Sequence, residues 1–154
     1  MLMTISLREL TRVTWEECID LEVAEHQRDF VSSNLVSLAE AQFYPGTVCR
    51  AVYSDEVMVG FVMYGPDMEY APEEQGAYAF VRLMIDRKYQ RKGYSRAAIA
   101  AVIEAIRNIP DSRVLYTSYV PENIQAGQLY AAIGFHPTGR ELDGELIVRL
   151  PLRS

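Results

Sequence analysis

Apolar and polar positions alternate along the middle of the chain, and this pattern predicts strands. The runs Thr47–Tyr53 and Val57–Tyr64 are rich in β-branched and aromatic residues and flank the polar turn Ser54-Asp55-Glu56, which indicates an antiparallel hairpin. The second run is apolar on both sides, as is typical of a strand in the middle of a sheet. Strict alternation assigns its side chains to two faces: Val57, Val59, Phe61 and Met63 on one, and Met58, Val62 and Tyr64 on the other.

Five further segments carry strand-like patterns. They are Thr4–Leu10, Ala77–Ile85, Val114–Tyr119, Phe135–Arg140 and Glu145–Leu150. The last two are joined through Asp143-Gly144, a dipeptide that favours a tight hairpin turn. The segment Gly65–Gly76 contains two prolines and four acidic residues and is predicted to be a loop.

Helix signals separate these strands. Thr14-Trp15-Glu16-Glu17 has the form of a capping box and predicts a helix that continues to about Val23, and Ser37-Leu38-Ala39-Glu40 repeats the signal for a short second helix. Two longer helices are predicted over Ser95–Arg107 and Asn123–Ile133, the second ended by a glycine. The order β-α-α-β-β-β-α-β-α-β-β predicts an α/β (α+β) fold. In this fold about four helices flank a mixed, mostly antiparallel sheet of six to seven strands.

The composition is that of one globular domain. The 154 residues are 49% hydrophobic and 23% charged, and no linker, repeat or low-complexity tract divides them, so residues 1–154 are predicted to form a single domain. No apolar run approaches the ~20 residues that a membrane span needs. Fifteen basic and 21 acidic residues give a net charge of −6, which argues against nucleic acid as a partner.

The two cysteines, Cys18 and Cys49, have neither metal-binding nor redox spacing and are predicted to be small core residues. No metal site is predicted. The first ten residues lack the pattern of a signal peptide, because Arg8 and Glu9 interrupt the apolar run early. We therefore expect a reduced, cytoplasmic location.

A short basic turn stands out in this acidic chain. Five of the fifteen cations fall within ten residues, between a predicted strand and a predicted helix: Arg87, Lys88, Arg91, Lys92 and Arg96. Such a junction directs several backbone N–H groups at one point, and the helix dipole adds about half a positive charge there. The turn predicts a phosphate or pyrophosphate ligand, although neither a Walker loop nor a GxGxxG fingerprint is present. Taken alone, it also fits a charged surface turn before a helix.

Two motifs resemble those of a known family. Gln90-Arg91-Lys92-Gly93-Tyr94-Ser95 resembles the Q/R-x-x-G-x-G/A signature of the GNAT superfamily, the acyl-CoA-dependent N-acetyltransferases, and the preceding Leu83–Tyr89 resembles its fourth strand and connecting turn. Downstream, Asn123–Phe135 resembles the family's N-x-x-A-x-x-L-Y-x-x-x-G-F segment. One departure is Ser95, where the family favours glycine or alanine.

The resemblance implies a site for acetyl-CoA. The backbone of Leu83, Met84 and Ile85 would pair with the pantetheine arm like an added strand, and an N–H in that run would polarise the thioester carbonyl. The N–H groups of residues 91–96 would hold the pyrophosphate. Contacts with acetyl-CoA are thus expected from Gln90, Arg91, Lys92, Gly93, Tyr94, Ser95, Arg96, the side-chain amide of Asn123, and Tyr130.

Tyr130 matches the family's general acid, which protonates the departing thiolate. A phenol of pKa ~10 is protonated at neutral pH, and a thiol of pKa ~8.5 is a competent acceptor. The alternative role of Tyr130 is that of a core aromatic on a helix face. For the base that must deprotonate the amine, His26 and His136 are read as ordinary surface or structural residues, and no acidic residue is singled out.

The acceptor amine is predicted from a finer resemblance. The segments Leu21–Val31, Val59–Gly65, Glu69-Tyr70 and Arg82–Gln90 resemble bacterial spermine/spermidine (diamine) N-acetyltransferases. Polyamines carry several separated positive charges, which carboxylates would attract. Substrate contacts are therefore expected from Glu22, Glu25, Glu69, Tyr70, Glu73 and Glu74.

Two acidic clusters carry this prediction. Glu22, Glu25 and Asp29 are spaced three and four residues apart, a spacing that corresponds to one helical face. The second cluster lies in the loop before the strand of the acetyl-CoA site and comprises Asp67, Glu69, Glu73 and Glu74. Tyr64 and Tyr70 would add cation–π contacts. Each carboxylate also fits a solvated surface.

The sequence thus predicts transfer of an acetyl group from acetyl-CoA to a primary amine of a polyamine or diamine. Direct attack in a ternary complex is expected, because no Cys or Ser is placed with a base as a nucleophile. One alternative is a GNAT enzyme for another amine, such as a protein N-terminus, an amino acid or an antibiotic. Another is a catalytically weak CoA-binding regulatory module, with which Ser95 is consistent. The family resemblance also allows a homodimer.

Overall fold

One sheet of seven strands runs through the computed structural model, which describes residues 4–153. The strands are β1 (Ile5–Glu9), β2 (Val48–Ser54), β3 (Val57–Pro66), β4 (Ala77–Ile85), β5 (Val114–Tyr119), β6 (His136–Leu142) and β7 (Glu145–Pro151). Their order across the sheet is β1-β2-β3-β4-β5-β7-β6. Neighbours are antiparallel except β4 and β5, which run parallel. The predicted fold class is confirmed.

Within the described residues, four α-helices cover the two faces of the sheet: α1 (Trp15–Ile19), α2 (Asn34–Ala41), α3 (Tyr94–Arg107) and α4 (Ile124–Ile133). Helices α3 and α4 pack on one face, and α1 and α2 pack on the other. In α3, Ile99, Val102, Ile103 and Ile106 occupy positions i, i+3, i+4 and i+7 and are all buried, which makes this segment an amphipathic helix. None of these four helices is long and apolar enough to span a membrane.

The face assignment predicted for the central strand is wrong at Met58 and at its neighbour Val59. Val59 lacks a partner on β2, because the register shifts by one residue at that point. An extra residue in one strand forms a β-bulge and breaks the strict alternation of faces. The observed division places Val59, Val62 and Tyr64 on the side of α3, and Met58, Phe61 and Met63 on the side of α1 and α2.

The first helix begins directly after Thr14 as predicted, but its predicted capping hydrogen bond and its predicted length are wrong. The Thr14 side chain makes no hydrogen bond to α1; its hydroxyl instead accepts a 3.0 Å hydrogen bond from the N–H of Thr11. The helix ends at Ile19 rather than near Val23. The segment that follows forms only a single 3-10 turn over Glu25–Gln27, so it offers no continuous helical face.

The second helix begins earlier than predicted. Its cap is Ser33, whose Oγ accepts a 3.2 Å hydrogen bond from the N–H of Val36. The predicted cap Ser37 is buried inside α2, where its hydroxyl donates to the carbonyl oxygen of Ser33.

The hairpin between β6 and β7 confirms its turn prediction. Asp143 and Gly144 have positive φ angles of 51° and 81°, as a tight two-residue hairpin turn requires. Leu142 therefore lies directly opposite Glu145, which is the first residue of β7.

Candidate active site

The parallel strands β4 and β5 pair along a short stretch and then separate. Residues 77–79 of β4 pair with residues 114–116 of β5. One step further, Thr117 Oγ1 donates a 2.7 Å hydrogen bond to the carbonyl oxygen of Phe80. Beyond this bond the two strands continue without pairing to each other, so an opening forms between them.

A cavity of about 510 Å³ occupies this opening, and we call it the β4–β5 cleft. Its volume is in the ordinary range of small-molecule sites, roughly 300–1,000 Å³. Eleven of the residues predicted to contact acetyl-CoA line it: Leu83, Met84, Ile85, Gln90, Arg91, Gly93, Tyr94, Ser95, Arg96, Asn123 and Tyr130. Lys92 does not line the cleft and is exposed.

The edge of β4 presents backbone groups to the cleft at alternate residues. The N–H of Asp86 donates a 2.8 Å hydrogen bond to the carbonyl oxygen of Val59 on β3. Because ladder bonds alternate along an antiparallel pair, Met84 is bonded to β3, whereas the N–H and C=O groups of Leu83 and Ile85 point away from β3. Met84 therefore contributes to the wall without a free backbone group, contrary to the expectation for all three residues.

The turn before α3 carries a row of backbone N–H groups without partners. Arg91 and Gly93 have positive φ angles of 64° and 85°, which turn the chain sharply into the helix. Within residues 4–153, the N–H groups of residues 91–96 donate no hydrogen bond, and no side chain caps α3. The helix dipole places about half a positive charge at the same point. This arrangement is suited to a phosphate group.

Gln90 and Asn123 are held by structural hydrogen bonds in the cleft wall. Gln90 Nε2 donates to the carbonyl oxygen of Ile85 at 2.9 Å and to Gln27 Oε1 at 2.8 Å. Asn123 caps α4, where its Oδ1 accepts a 3.3 Å hydrogen bond from the N–H of Ala126. This cap does not use the Asn123 NH₂ group, which is left for a ligand.

Tyr130 is both a core residue and a cleft residue. It is 8% exposed, and its ring packs against those of Tyr119 and Phe135 at centroid distances of 6.0 and 5.5 Å. Burial raises the pKa of its phenol to about 12, against an opposing effect of hydrogen bonding with the Thr117 side chain. The phenol therefore keeps its proton throughout the neutral range, as a proton donor must.

Comparison with known proteins assigns the chain to a family. Residues 6–135 match the Acetyltransferase (GNAT) family. The chain belongs to the GNAT family of acetyltransferases. The predicted family and the predicted class of enzyme, an N-acetyltransferase, are thereby confirmed.

Three known proteins illustrate this GNAT relationship. The chain is 28% identical over 148 residues to the spermine/spermidine N(1)-acetyltransferase of Bacillus subtilis, an alignment that covers 95% of this chain and 97% of that protein. The spermidine N-acetyltransferase of Vibrio cholerae, solved with CoA and spermine, has a TM-score of 0.73 at 17% identity, with 96% and 95% of the two chains covered. The aminoglycoside acetyltransferase AAC(6')-Ib, solved with coenzyme A, has a TM-score of 0.77 at 16% identity, with 96% and 95% covered.

A second cavity of this GNAT acetyltransferase, of about 280 Å³, lies beside α2, and we call it the acidic cavity. Five carboxylates and one guanidinium line it: Glu40, Asp67, Glu69, Asp143, Glu145 and Arg82. Arg82 is already paired with Glu40, with 2.9 Å between Nη2 and Oε2. Asp67 accepts hydrogen bonds from three backbone N–H groups of its own loop. The net charge of the lining is therefore negative and suits a cationic ligand.

The β4–β5 cleft and the acidic cavity meet at four residues that line both, which we call the neck: Val81, Arg82, Ser118 and Glu145. The register of β3 against β4 shifts at Val81, so that Val81 has no partner on β3. This bulge turns the side chains of Val81 and Arg82 toward the same face of the sheet. Ligands bound in the two cavities would therefore be closest to each other at the neck.

The predicted substrate residues divide into two groups. Glu69 and Tyr70 line the acidic cavity, whereas Glu22, Glu25, Glu73 and Glu74 line neither it nor the cleft. The shared helical face expected for Glu22 and Glu25 does not exist, because α1 ends at Ile19. Tyr64 also misses the acidic cavity, because it packs in the core beneath α3.

Glu74 has a structural role instead. Its Oε1 lies 2.7 Å from Arg149 Nη2, and its Oε2 accepts a hydrogen bond from the Tyr116 hydroxyl. The bonds from Tyr116 and Arg149 hold the pKa of the Glu74 carboxyl below its usual value. This carboxylate joins the loop after β3 to β5 and β7.

Sequence reasoning missed Glu40, Ser118 and Glu145. Glu40 was read as part of a helix cap, although it faces the acidic cavity from α2. Ser118 and Glu145 carry no motif of their own. For Glu145, the signal was its position directly after the Asp143-Gly144 turn, which fixes it at the start of a strand.

Proposed function

We propose that this GNAT enzyme transfers an acetyl group from acetyl-CoA to a primary amine of a polyamine or diamine, by direct attack in a ternary complex. The observation that carries this proposal is the shared neck. The β4–β5 cleft would hold acetyl-CoA, the acidic cavity would hold the cationic amine, and the two ligands would touch at Val81, Arg82, Ser118 and Glu145.

The cleft fits acetyl-CoA in its shape and its hydrogen-bonding groups. The unpartnered N–H groups of residues 91–96 would bind the diphosphate. The N–H and C=O groups of Leu83 and the N–H of Ile85 would pair with the amides of the pantetheine arm, as an added strand does, while the Ile85 carbonyl accepts the Gln90 hydrogen bond. Ser95 occupies the second position of α3, where its small side chain allows close approach of a phosphate.

Tyr130 would act on the sulfur of acetyl-CoA. Because burial raises the pKa of this phenol to about 12, complete transfer of its proton to a thiolate of pKa ~8.5 is unfavourable by itself. The Tyr130 proton would therefore move to the sulfur only as the Tyr130 oxygen takes another proton from the attacking nitrogen. Until then, the phenol would stabilise negative charge on the sulfur through a hydrogen bond.

The acidic cavity supports a slender, multiply charged amine. Its volume of about 280 Å³ is just below the ordinary range of small-molecule sites, roughly 300–1,000 Å³, which favours an aliphatic polyamine over a multi-ring aminoglycoside. The full-length similarity to the spermine/spermidine N(1)-acetyltransferase of Bacillus subtilis supports the same class of amine.

Turnover assays test the proposal directly. Release of free thiol from acetyl-CoA would be followed with spermidine, spermine and putrescine, and with kanamycin and a neutral peptide as rival acceptors. We expect turnover with the polyamines and a kcat/KM at least tenfold lower for the rivals. Activity with kanamycin or the peptide but with none of the polyamines would contradict the polyamine as acceptor, while the proposed acetyl transfer would stand.

The Tyr130→Phe variant separates an enzyme from a CoA-binding regulatory module. Binding of acetyl-CoA, measured by calorimetry, should survive in this variant, because the ring and its packing are retained. The rate of acetyl transfer should fall by roughly 10²-fold, the ordinary scale of one general acid. A wild-type protein that binds acetyl-CoA but turns over no amine would support the regulatory module.

A further inference from the structure

Glu145 occupies a singular position in the neck. Among the described residues that line the β4–β5 cleft, it is the one carboxylate; the other charged side chains there are Arg82, Arg91 and Arg96. It also lines the acidic cavity. A cationic amine that passes from the acidic cavity to the cleft therefore meets this carboxylate at the boundary.

The sheet register fixes the position of Glu145. The tight turn at Asp143-Gly144 makes it the first residue of β7. On β5, Ser118 lies opposite Ile147, two residues beyond Glu145, so the side chains of Ser118 and Glu145 are diagonal neighbours on one face. Ser118 Oγ donates a 2.9 Å hydrogen bond to Glu145 Oε1.

A second hydrogen bond orients this pair. The Tyr70 hydroxyl lies 2.7 Å from Ser118 Oγ. Because the Ser118 proton is directed at Glu145, Tyr70 must be the donor in this contact. The two hydrogen bonds form a series from Tyr70 through Ser118 to Glu145, and each hydroxyl proton points toward the carboxylate. This series holds Glu145 Oε1 and leaves Oε2 for a ligand.

We propose that Glu145 is the catalytic base, which removes a proton from the acceptor amine at the neck, and that Ser118 is its positioning residue. This inference rests on the proposed acetyl transfer but not on which amine is the acceptor. Sequence reasoning left the base without a candidate. His26 lines the β4–β5 cleft outside the neck, and His136 lines neither cavity.

The chemical step balances with these groups. An alkylammonium gives one N–H proton to the Glu145 carboxylate, and the freed electron pair forms the C–N bond at the thioester carbonyl carbon. The C–S bond breaks with its electrons on sulfur, which takes a proton from Tyr130. The second nitrogen proton passes to the Tyr130 oxygen, and the amide keeps the third. Glu145 then releases its proton to water.

The charged and titratable groups that surround Glu145 come from every neighbouring element. Arg82 of β4 and Tyr130 of α4 line the cleft with it, and Glu69 and Tyr70 of the loop after β3 line the acidic cavity with it. Asp143 shares its turn and its cavity. Within the described residues, Arg82 forms an ion pair with Glu40 and none with Glu145.

The test is the pH dependence of kcat in a Glu145→Gln variant, with whichever amine the wild type acetylates. The amide oxygen of Gln can still accept the Ser118 hydrogen bond, but it cannot take a proton. We expect kcat at pH 7.5 to fall by roughly 10²–10³-fold. Between pH 7 and 9 the variant's kcat should rise about tenfold per unit, because only the free form of an amine with pKa ~10 then reacts; the wild-type kcat should stay nearly flat.

Two further variants complete the test. Ser118→Ala should lower kcat about three- to tenfold without adding a slope against pH, as expected of a positioning residue. Glu141→Gln, in the same hairpin but in neither cavity, should leave kcat unchanged. Calorimetry with acetyl-CoA should give wild-type affinity for Glu145→Gln, which shows that the variant is folded.

The outcomes separate the two proposals. If the wild type acetylates an amine, and Glu145→Gln has either a wild-type kcat or a reduced kcat with a wild-type pH profile, the role of Glu145 as the base is overturned and acetyl transfer stands. If the wild type acetylates no amine, both proposals are overturned. A reduced kcat of Glu145→Gln together with the steep pH dependence supports Glu145 as the catalytic base.

Discussion

Thr117 on β5 donates a 2.7 Å hydrogen bond to the carbonyl oxygen of Phe80 on β4, one residue beyond the last paired positions of these strands. The bond lies in the buried interior, where Thr117 is 3% and Phe80 is 1% exposed. It marks the point from which the two strands separate. The β4–β5 cleft therefore opens beside a bond between two of its own lining residues.

Replacement of Thr117 by Val should loosen this junction. Val has nearly the same shape but leaves the Phe80 carbonyl without its donor, which costs roughly 1–3 kcal/mol in a buried site. We expect the free energy of unfolding, measured by urea denaturation, to fall by this amount and the KM for acetyl-CoA to rise several-fold. Thr138→Val, which removes a 2.9 Å bond to the Ile147 carbonyl in the outer hairpin, is the matched control. An unchanged KM in Thr117→Val would disconnect this bond from the shape of the cleft.

Ser95 tests the phosphate site in the turn before α3. A Ser95→Glu variant places a carboxylate at the second position of the helix, where the dipole favours it, so stability should be unchanged or slightly higher. The same charge would repel a diphosphate, and the Kd for acetyl-CoA should rise roughly 10- to 100-fold. Ser95→Ala should bind within about threefold of the wild type. Calorimetry measures both, and tight binding by Ser95→Glu would place the diphosphate elsewhere.

Glu69 and Glu73 form a matched pair for the acceptor site. Both are exposed carboxylates in the loop after β3, but Glu69 lines the acidic cavity and Glu73 does not. Either change to Gln alters the net charge equally. Glu69→Gln should raise the KM for spermidine about two- to fivefold, the scale of an exposed ion pair, and less at high salt. Equal effects of the two variants would indicate attraction by the overall charge rather than by the cavity.

The sequence predicted those parts of the site that lie close together in the chain. The turn from Gln90 to Arg96 and the helix from Asn123 to Tyr130 are continuous segments, so their motifs carry their geometry with them. Ser118 and Glu145 are separated by 27 positions in the chain. Their contact depends on the pairing of β5 with β7, and no local pattern expresses that register.

The errors have an equally physical origin. Strict alternation of side chains does not allow for a bulge, so Met58 and Val59 were assigned to the wrong faces. The spacing of Glu22 and Glu25 was interpreted on a helix that ends before both residues. The Thr14 hydroxyl accepts its hydrogen bond from the N–H of Thr11 and not from a backbone N–H of α1. In each case a tertiary or local alternative prevailed over an intrinsic pattern.

The buried phenol of Tyr130 should leave a mark on stability at alkaline pH. Burial raises its pKa to about 12, whereas the same group titrates at ~10 in the unfolded chain. Between these values the unfolded chain has lost the proton and the folded protein has kept it. The stabilisation is therefore complete below pH 10 and is lost as the pH rises toward 12, by about 2–3 kcal/mol in total.

The Tyr130→Phe variant isolates this contribution. Urea unfolding of wild type and variant at pH 8 to 11 should give two declining curves, and the wild-type curve should fall more steeply above pH 10. Burial also raises the pKa of Cys18 from 9.0 to about 12. Its contribution to the free energy of unfolding declines equally in both proteins and therefore cancels when the two curves are subtracted. The unfolding free-energy curve of a Cys18→Ala variant should diverge from that of the wild type above pH 9, one pH unit below the point where the Tyr130→Phe curve diverges. Parallel curves for wild type and Tyr130→Phe would show that the phenol is more hydrated than its 8% exposure indicates.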